Sequence, residues 1–222
     1  MTAKMYTQWI AAACLVAMTT ACVPSQDYPN RQTFGINPGT PEVTGAWKGE
    51  DGKFHAWPTH DLVLRVLPVR VASPFATQKF TYRVGEDTYE TDYYNGFADA
   101  PDRLLTASLT QWLRNSLVFQ TVIDQDSTAS ANFELETNIV ELYGAYRMPN
   151  QPSCAMLSVR FILLERQGSA TRVLSEFGSA QTVSLKNDKP AALARGLGES
   201  WGKALTYLTD QLRQETLLPA AE

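Results

Sequence analysis

Between Pro190 and Leu212 the residues Leu193, Leu197, Trp201, Leu205, Leu208 and Leu212 recur at three- and four-residue steps, the stripe of an amphipathic helix. A helix with one long apolar face must bury it against another layer, which limits the folds open to the chain. Asp188 and Pro190 mark its start, since proline suits the first helical position. Gly196, Gly198 and Gly202 interrupt the stripe, each at a cost of about 1 kcal/mol relative to alanine. Such glycines are expected where the helix backbone packs closely on a sheet.

The sheet can be traced upstream. Leu62 to Leu67 and Val69 to Val71 form a β-rich run broken by Pro68, which predicts a bulge or a strand edge. Phe80 to Val84 and Thr88 to Thr91 flank Gly85-Glu86-Asp87, a hairpin turn. Asp99 as N-cap, Pro101 and Asp102 then open a first helix, along which Leu105, Leu109, Trp112, Leu113 and Leu117 share a face. Phe133, Leu135 and Ile139 alternate with Glu134, Glu136 and Asn138, as in a strand with one wet face. From Ala155 to Leu164 apolar residues fall on both parities, which predicts a central strand covered on both sides. Gln167 to Ala170 turns it back into Thr171 to Val183. The expected fold is α+β: a mainly antiparallel sheet with two helices packed on one face, one domain over residues 61–215, followed by a tail at 216–222.

Ahead of that domain, from Val23 to His60, prolines and glycines break every run before it acquires a period. Residues 22–60 therefore read as a flexible linker. Some 38 flexible residues have an r.m.s. reach of about 35 Å. Residues 1–21 read as an export signal: Lys4, an apolar run from Trp9 to Met18 too short to span a bilayer, then Thr19-Thr20-Ala21 before Cys22. A cysteine after small residues resembles a bacterial lipobox, in which the thiol is acylated and becomes the new N-terminus. Thr19 stands where a lipobox carries leucine, so ordinary cleavage after Ala21 is the rival reading. Acylation of Cys22 is the one modification the sequence points to.

Removing Lys4 with the signal takes the formal charge from −4 to −5, which argues against nucleic acid or an anionic surface as partner. Cys154 is then the only thiol besides Cys22, so no internal disulfide framework is expected. Motifs of catalysis match by string and fail by context. Gly198-Glu199-Ser200-Trp201-Gly202 fits G-x-S-x-G, but it lies on the helical stripe and no histidine follows it. Ser200 and Lys203 fit S-x-x-K without its companion motifs. His55, His60 and Asp61 sit at the linker boundary and read as solvated residues rather than metal ligands. Asp87, Glu90, Asp92 and Asp99 read as turn and cap residues. No metal, cofactor or enzymatic activity is expected. The remaining feature is aromatic: Phe80, Tyr82, Tyr89, Tyr93, Tyr94 and Phe97 crowd one region before the first helix. Of these, Tyr89, Tyr93, Tyr94 and Phe97 are the candidates for a partner-binding patch, since rigid aromatics with polar tips serve such surfaces.

Leu64-Arg65-Val66-Leu67-Pro68-Val69, then Tyr89 to Phe97, then Pro101 and Leu104-Leu105-Thr106 through Phe119-Gln120-Thr121-Val122 resemble the ABC-type transport auxiliary lipoprotein family. Its members accompany MCE-type intermembrane lipid transport systems. The resemblance covers residues 62–212 and agrees with a lipidated Cys22. It implies an outer-membrane lipoprotein that faces the periplasm, has no active site, and meets an MCE-family protein and, through it, phospholipid. Val23 rather than aspartate after Cys22 favours outer-membrane sorting in enteric-type systems. A lipoprotein regulator of a peptidoglycan synthase shares the leash and the small α/β domain, and is the alternative.

Overall fold

The computed structural model describes residues 31–42, 47–48, 54–55, 60–146, 152–168 and 170–215. Its spine is a pair of long antiparallel strands, β9 (Phe133–Ala145) and β10 (Cys154–Gln167), joined in register from Glu165↔Phe133 to Cys154↔Ala145 with one bulge. A turn with Gly168 at φ 60 leads from β10 into β11 (Ala170–Ser184), which pairs along the other side of β10. The free edge of β9 is shared by three short strands laid end to end, all parallel to it. These are β4 (His60–Val66), β5 (Arg70–Val71) and β6 (Lys79–Arg83). Antiparallel β7 (Tyr89–Phe97) then pairs with β6, and β1 (Gln32–Phe34) runs parallel to β7 at the outer edge. On a separate branch β8 (Phe119–Ile123) pairs parallel with β4. The nine-stranded sheet is thus mixed: its long pairings, β9 with β10 and β10 with β11, are antiparallel as expected, and the short strands along β9 add parallel ones. Nothing in a short strand's own pattern says which distant strand it will join. A second, two-stranded sheet pairs β2 (Trp47–Lys48) with β3 (Phe54–His55).

Pro68 falls between β4 and β5, where its missing N–H removes nothing from the ladder. The neighbouring donors are satisfied around it: Leu67 N–H donates to Leu135 O (3.1 Å), Val69 N–H to Thr106 Oγ1 (2.8 Å) and Ala72 N–H to Ile139 O (2.9 Å). Alternation decides which side of β10 is sealed. Ala155, Leu157, Val159, Phe161 and Leu163 are buried, whereas Met156, Ile162 and Leu164, among Ser158, Arg160 and Arg166, are not. The expectation of cover on both faces therefore fails: apolar side chains on the second parity are half-buried on an open, polar-flecked surface.

The helices α1 (Pro101–Ser116) and α2 (Pro190–Gln214) pack on the sealed face. Each presents its predicted stripe, with Leu105, Leu109 and Leu113 of α1 and Leu193, Leu197, Leu205, Leu208 and Leu212 of α2 fully buried. Two buried tryptophans tie the helices together. Trp201 Nε1–H donates to Ser108 Oγ (2.9 Å), and Trp112 Nε1–H to Thr209 Oγ1 (3.0 Å). Two helix ends differ from expectation. The N-cap of α1 is Ala100, with Asp99 one residue earlier, accepting from Ala100 N–H and paired with Arg103. Leu117 leaves the helix at φ 54.

Residues 31–42, expected as leash, lie on the domain. β1 extends the sheet, Phe34 stacks on Phe80 at 5.7 Å, and Ile36 is buried. From there the segment crosses α2 as a strap. A Cβ on Gly198 would stand 2.5 Å from Asn37 O, and one on Gly202 closer still to Pro38 O. Gly39 turns at φ 82 with its N–H on Asn37 Oδ1 (3.0 Å), and Glu42 O accepts from Arg213 in the last turn of α2. Of the three helical glycines only Gly196 meets the sheet, its missing Cβ lying 2.8 Å from Ala155 Cβ.

Candidate interaction bulge

The register of β6 with β7 places the aromatic candidates. Lys79 pairs with Gly96 and Thr81 with Thr91, so the four residues Asp92–Asn95 stand opposite the single residue Phe80 and must bulge outward. One carboxylate shapes the loop. Asp92 Oδ1 accepts from Tyr94 N–H (2.8 Å) and Asn95 N–H (2.9 Å), while Oδ2 accepts from Tyr82 O–H (2.6 Å) and Asn95 Nδ2 (3.0 Å). Gly96 closes it, because a Cβ there would collide with the backbone of Gln78 and Lys79.

The bulge ejects Tyr93, 73% exposed, and Tyr94, 40% exposed, with their rings edge to face at 5.0 Å. Lys79 Nζ lies 5.0 Å above the Tyr93 ring, a cation–π contact. The other two candidates are elsewhere. Tyr89 is 45% exposed but leans on Phe75 (6.1 Å) and Tyr143 (5.6 Å), a small aromatic cluster of its own. Phe97 is buried, edge-on to Phe80 at 4.9 Å, and belongs to the core. The unequal register explains why Phe97 turns inward while Tyr93 and Tyr94 stand out, since extra residues on one strand shift the face that each later side chain takes.

Burial raises the pKa of Asp92, but its hydrogen bonds, led by that from Tyr82, outweigh burial and hold the carboxyl below its ordinary value. Tyr82 moves the opposite way, its phenol kept protonated by burial and by Asp92. A carboxyl whose pKa is lower folded than unfolded adds stability above the unfolded value, near 4, and loses it as pH falls through the folded value. We therefore expect the urea midpoint to fall between pH 5 and pH 2 by less in Asp92→Asn than in the parent. Equal acid sensitivity in both would show that this carboxylate holds nothing.

Beside the bulge, Tyr82, Val84, Glu90, Asp92, Tyr146, Asp188 and Pro190 line a groove of about 270 Å³ at the start of α2. Tyr146 is edge-on to Tyr82 at 4.9 Å, and its buried hydroxyl has no hydrogen-bond partner. Burial first, then the charges of Asp188 and Asp92, push that phenol up to about 12.

The string matches to catalytic motifs resolve into packing. Ser200 is fully buried in α2 with its Oγ unpaired, and Lys203 pairs with Glu199 at 2.9 Å on the outer face. Cys154 is half-buried, and burial raises its thiol, which disfavours the reactive thiolate. Asp99, held at about 2 chiefly by its hydrogen bond from Arg103, fastens the first turn of α1. Among the described residues no group of three or more His, Cys, Asp or Glu could hold a metal ion. Cys22 and the side chains of His55, His60 and Asp61 lie outside the described residues. No helix among those described is long and apolar enough to cross a membrane.

A family model described as the ABC-type transport auxiliary lipoprotein component matches residues 54–209. Among solved structures, a Xanthomonas campestris protein is 15% identical, with 80% of this chain and 91% of that one covered at a TM-score of 0.64. A second crystal structure, of an uncharacterized protein, is also 15% identical, covering 70% of this chain and 94% of its own at a TM-score of 0.57. At such identity both likenesses speak to the fold. No curated protein matches the sequence.

Proposed function

Because the chain belongs to the family of ABC-type transport auxiliary lipoprotein components, we propose that it is the non-catalytic accessory lipoprotein of an intermembrane lipid transport system. In this reading Cys22 carries the acyl anchor in the outer membrane, the domain faces the periplasm, and its partner is an MCE-family protein. The observation that carries the reading is the extent of the match: residues 54–209 span β3 to α2, nearly the whole folded domain, so the likeness is not confined to one motif. The packing of Ser200 and the raised thiol of Cys154 are what a module that contributes position rather than chemistry would have.

The test is capture from solubilised envelopes of the host after crosslinking in intact cells, with the full chain as bait. Recovery of an MCE-family protein is expected. Recovery of a peptidoglycan synthase in its place would transfer the protein to envelope regulation, and loss of activity against a substrate on Ser200→Ala, without unfolding, would make it an enzyme.

A further inference from the structure

We infer that the Asp92–Asn95 bulge is where the domain touches the bilayer, with Tyr93 and Tyr94 lying in the lipid headgroup layer. The inference rests on the reading that Cys22 is acylated, and its geometry comes from the point at which the N-terminal chain joins the fold.

That point is Gln32. It pairs directly with Asn95, the last residue of the bulge, so the chain that leads back to Cys22 departs from beside the two exposed tyrosines. Only residues 23–30 separate Cys22 from Arg31. Ten residue steps from Cys22 to Gln32 span at most about 35 Å when fully drawn out. A domain of this length is about 40 Å across. A leash no longer than the body it holds cannot present any edge to the surface at random. The corner it enters lies nearest the lipid in most orientations, and β11, at the opposite edge of the sheet, lies farthest.

The corner has the chemistry of that place. Tyrosine rings with a polar tip concentrate at membrane interfaces, where one end is apolar and the other wet. Although the chain as a whole is acidic, this edge is locally basic: Lys79 sits over the Tyr93 ring, and Arg31, exposed, precedes Gln32, a pair that suits lipid phosphates. The carboxylate within the bulge, Asp92, is occupied by hydrogen bonds from Tyr82, Tyr94 and Asn95. A bulge fixed by that many bonds loses little freedom on seating, which favours even a small contact.

The experiment uses the full mature chain in vesicles of phosphatidylethanolamine and phosphatidylglycerol carrying a nitroxide near the glycerol backbone. Mass spectrometry of the N-terminus first establishes whether Cys22 is acylated, which separates failure of the anchor from failure of the patch. Tyr93→Trp then reports depth, with Val173→Trp, 61% exposed on β11, as the distant control. On the acylated protein, emission added by Tyr93→Trp is expected to be mostly quenched, and emission added by Val173→Trp to be unchanged. Quenching at neither site, or equal quenching at both, overturns the inference. So does protection at position 93 that arises only when an MCE-family protein is added, which would give the bulge to a protein partner.

Discussion

Replacing Trp201 with alanine lowers the stability of the domain by about 3–5 kcal/mol, the range for emptying a large aromatic site in a packed core. Trp201 is fully buried, stacks on Phe161 of β10 at 6.2 Å, and hydrogen-bonds Ser108 of α1, so one side chain joins the sheet and both helices. The loss is a large part of the 5–15 kcal/mol typical of a whole domain. Phenylalanine at this position keeps most of the packing and gives up the Ser108 bond, for a cost of about 1–2 kcal/mol. Urea unfolding checks both, provided the slope is unchanged and the midpoint alone moves. If Trp201→Ala costs under about 1 kcal/mol, the two helices are not joined through this ring.

Gly202→Ala is the second large effect, and two terms of opposite sign decide it. Alanine improves the helix by about 1 kcal/mol. Its Cβ, however, would lie inside contact distance of Pro38 O, a backbone atom that cannot swing aside as a flexible side chain would. The strap must lift, exposing Ile36 and weakening the Phe34–Phe80 stack. Burial of one such side chain is worth about 1.5–3 kcal/mol, so loss wins by about 1 kcal/mol, less than Trp201→Ala. The diagnostic readout is local: limited proteolysis should cut within residues 31–42 in Gly202→Ala and spare them in the parent. Gly178→Ala, on β11 where a Cβ meets nothing within 4 Å, is the control and should leave the cleavage pattern unchanged.

The two helices were legible because a 3.6-residue stripe over many turns admits one reading, and Leu193 to Leu212 are buried as their spacing required. Pro68 was legible for a chemical reason, the donor it lacks. The α+β class followed from these elements; the family resemblance rested on the segments Leu64–Val69, Tyr89–Phe97 and Pro101–Val122, and the match over residues 54–209 bears it out. The strap was not legible. Its strand has three residues between a masking set of prolines and glycines, and its partner β7 lies some sixty residues on, so its stability exists only in tertiary context. Gly198 and Gly202 did signal a close backbone approach, but helix periodicity says only that something comes near, not whether it is the sheet or an incoming segment. For the candidate patch, composition found the aromatics and could not sort them. Tyr93 and Phe97 differ in fate because four residues of β7 face one of β6, a count that appears only once the strands are paired.

The shared edge of β9 sets the order in which the chain can settle. β4, β5 and β6 each take as neighbour a strand made much later: Leu64 waits for Phe133, Arg70 for Asn138 and Tyr82 for Gly144. Parallel pairings this distant in sequence are slow to form and leave bare edges in the meantime. A polypeptide emerging amino end first can close β6 on β7 and β4 on β8 early, yet the edges of β4, β5 and β6 that face β9 stay bare until the middle arrives, a window in which a holding chaperone would find sticky ribbons to cover.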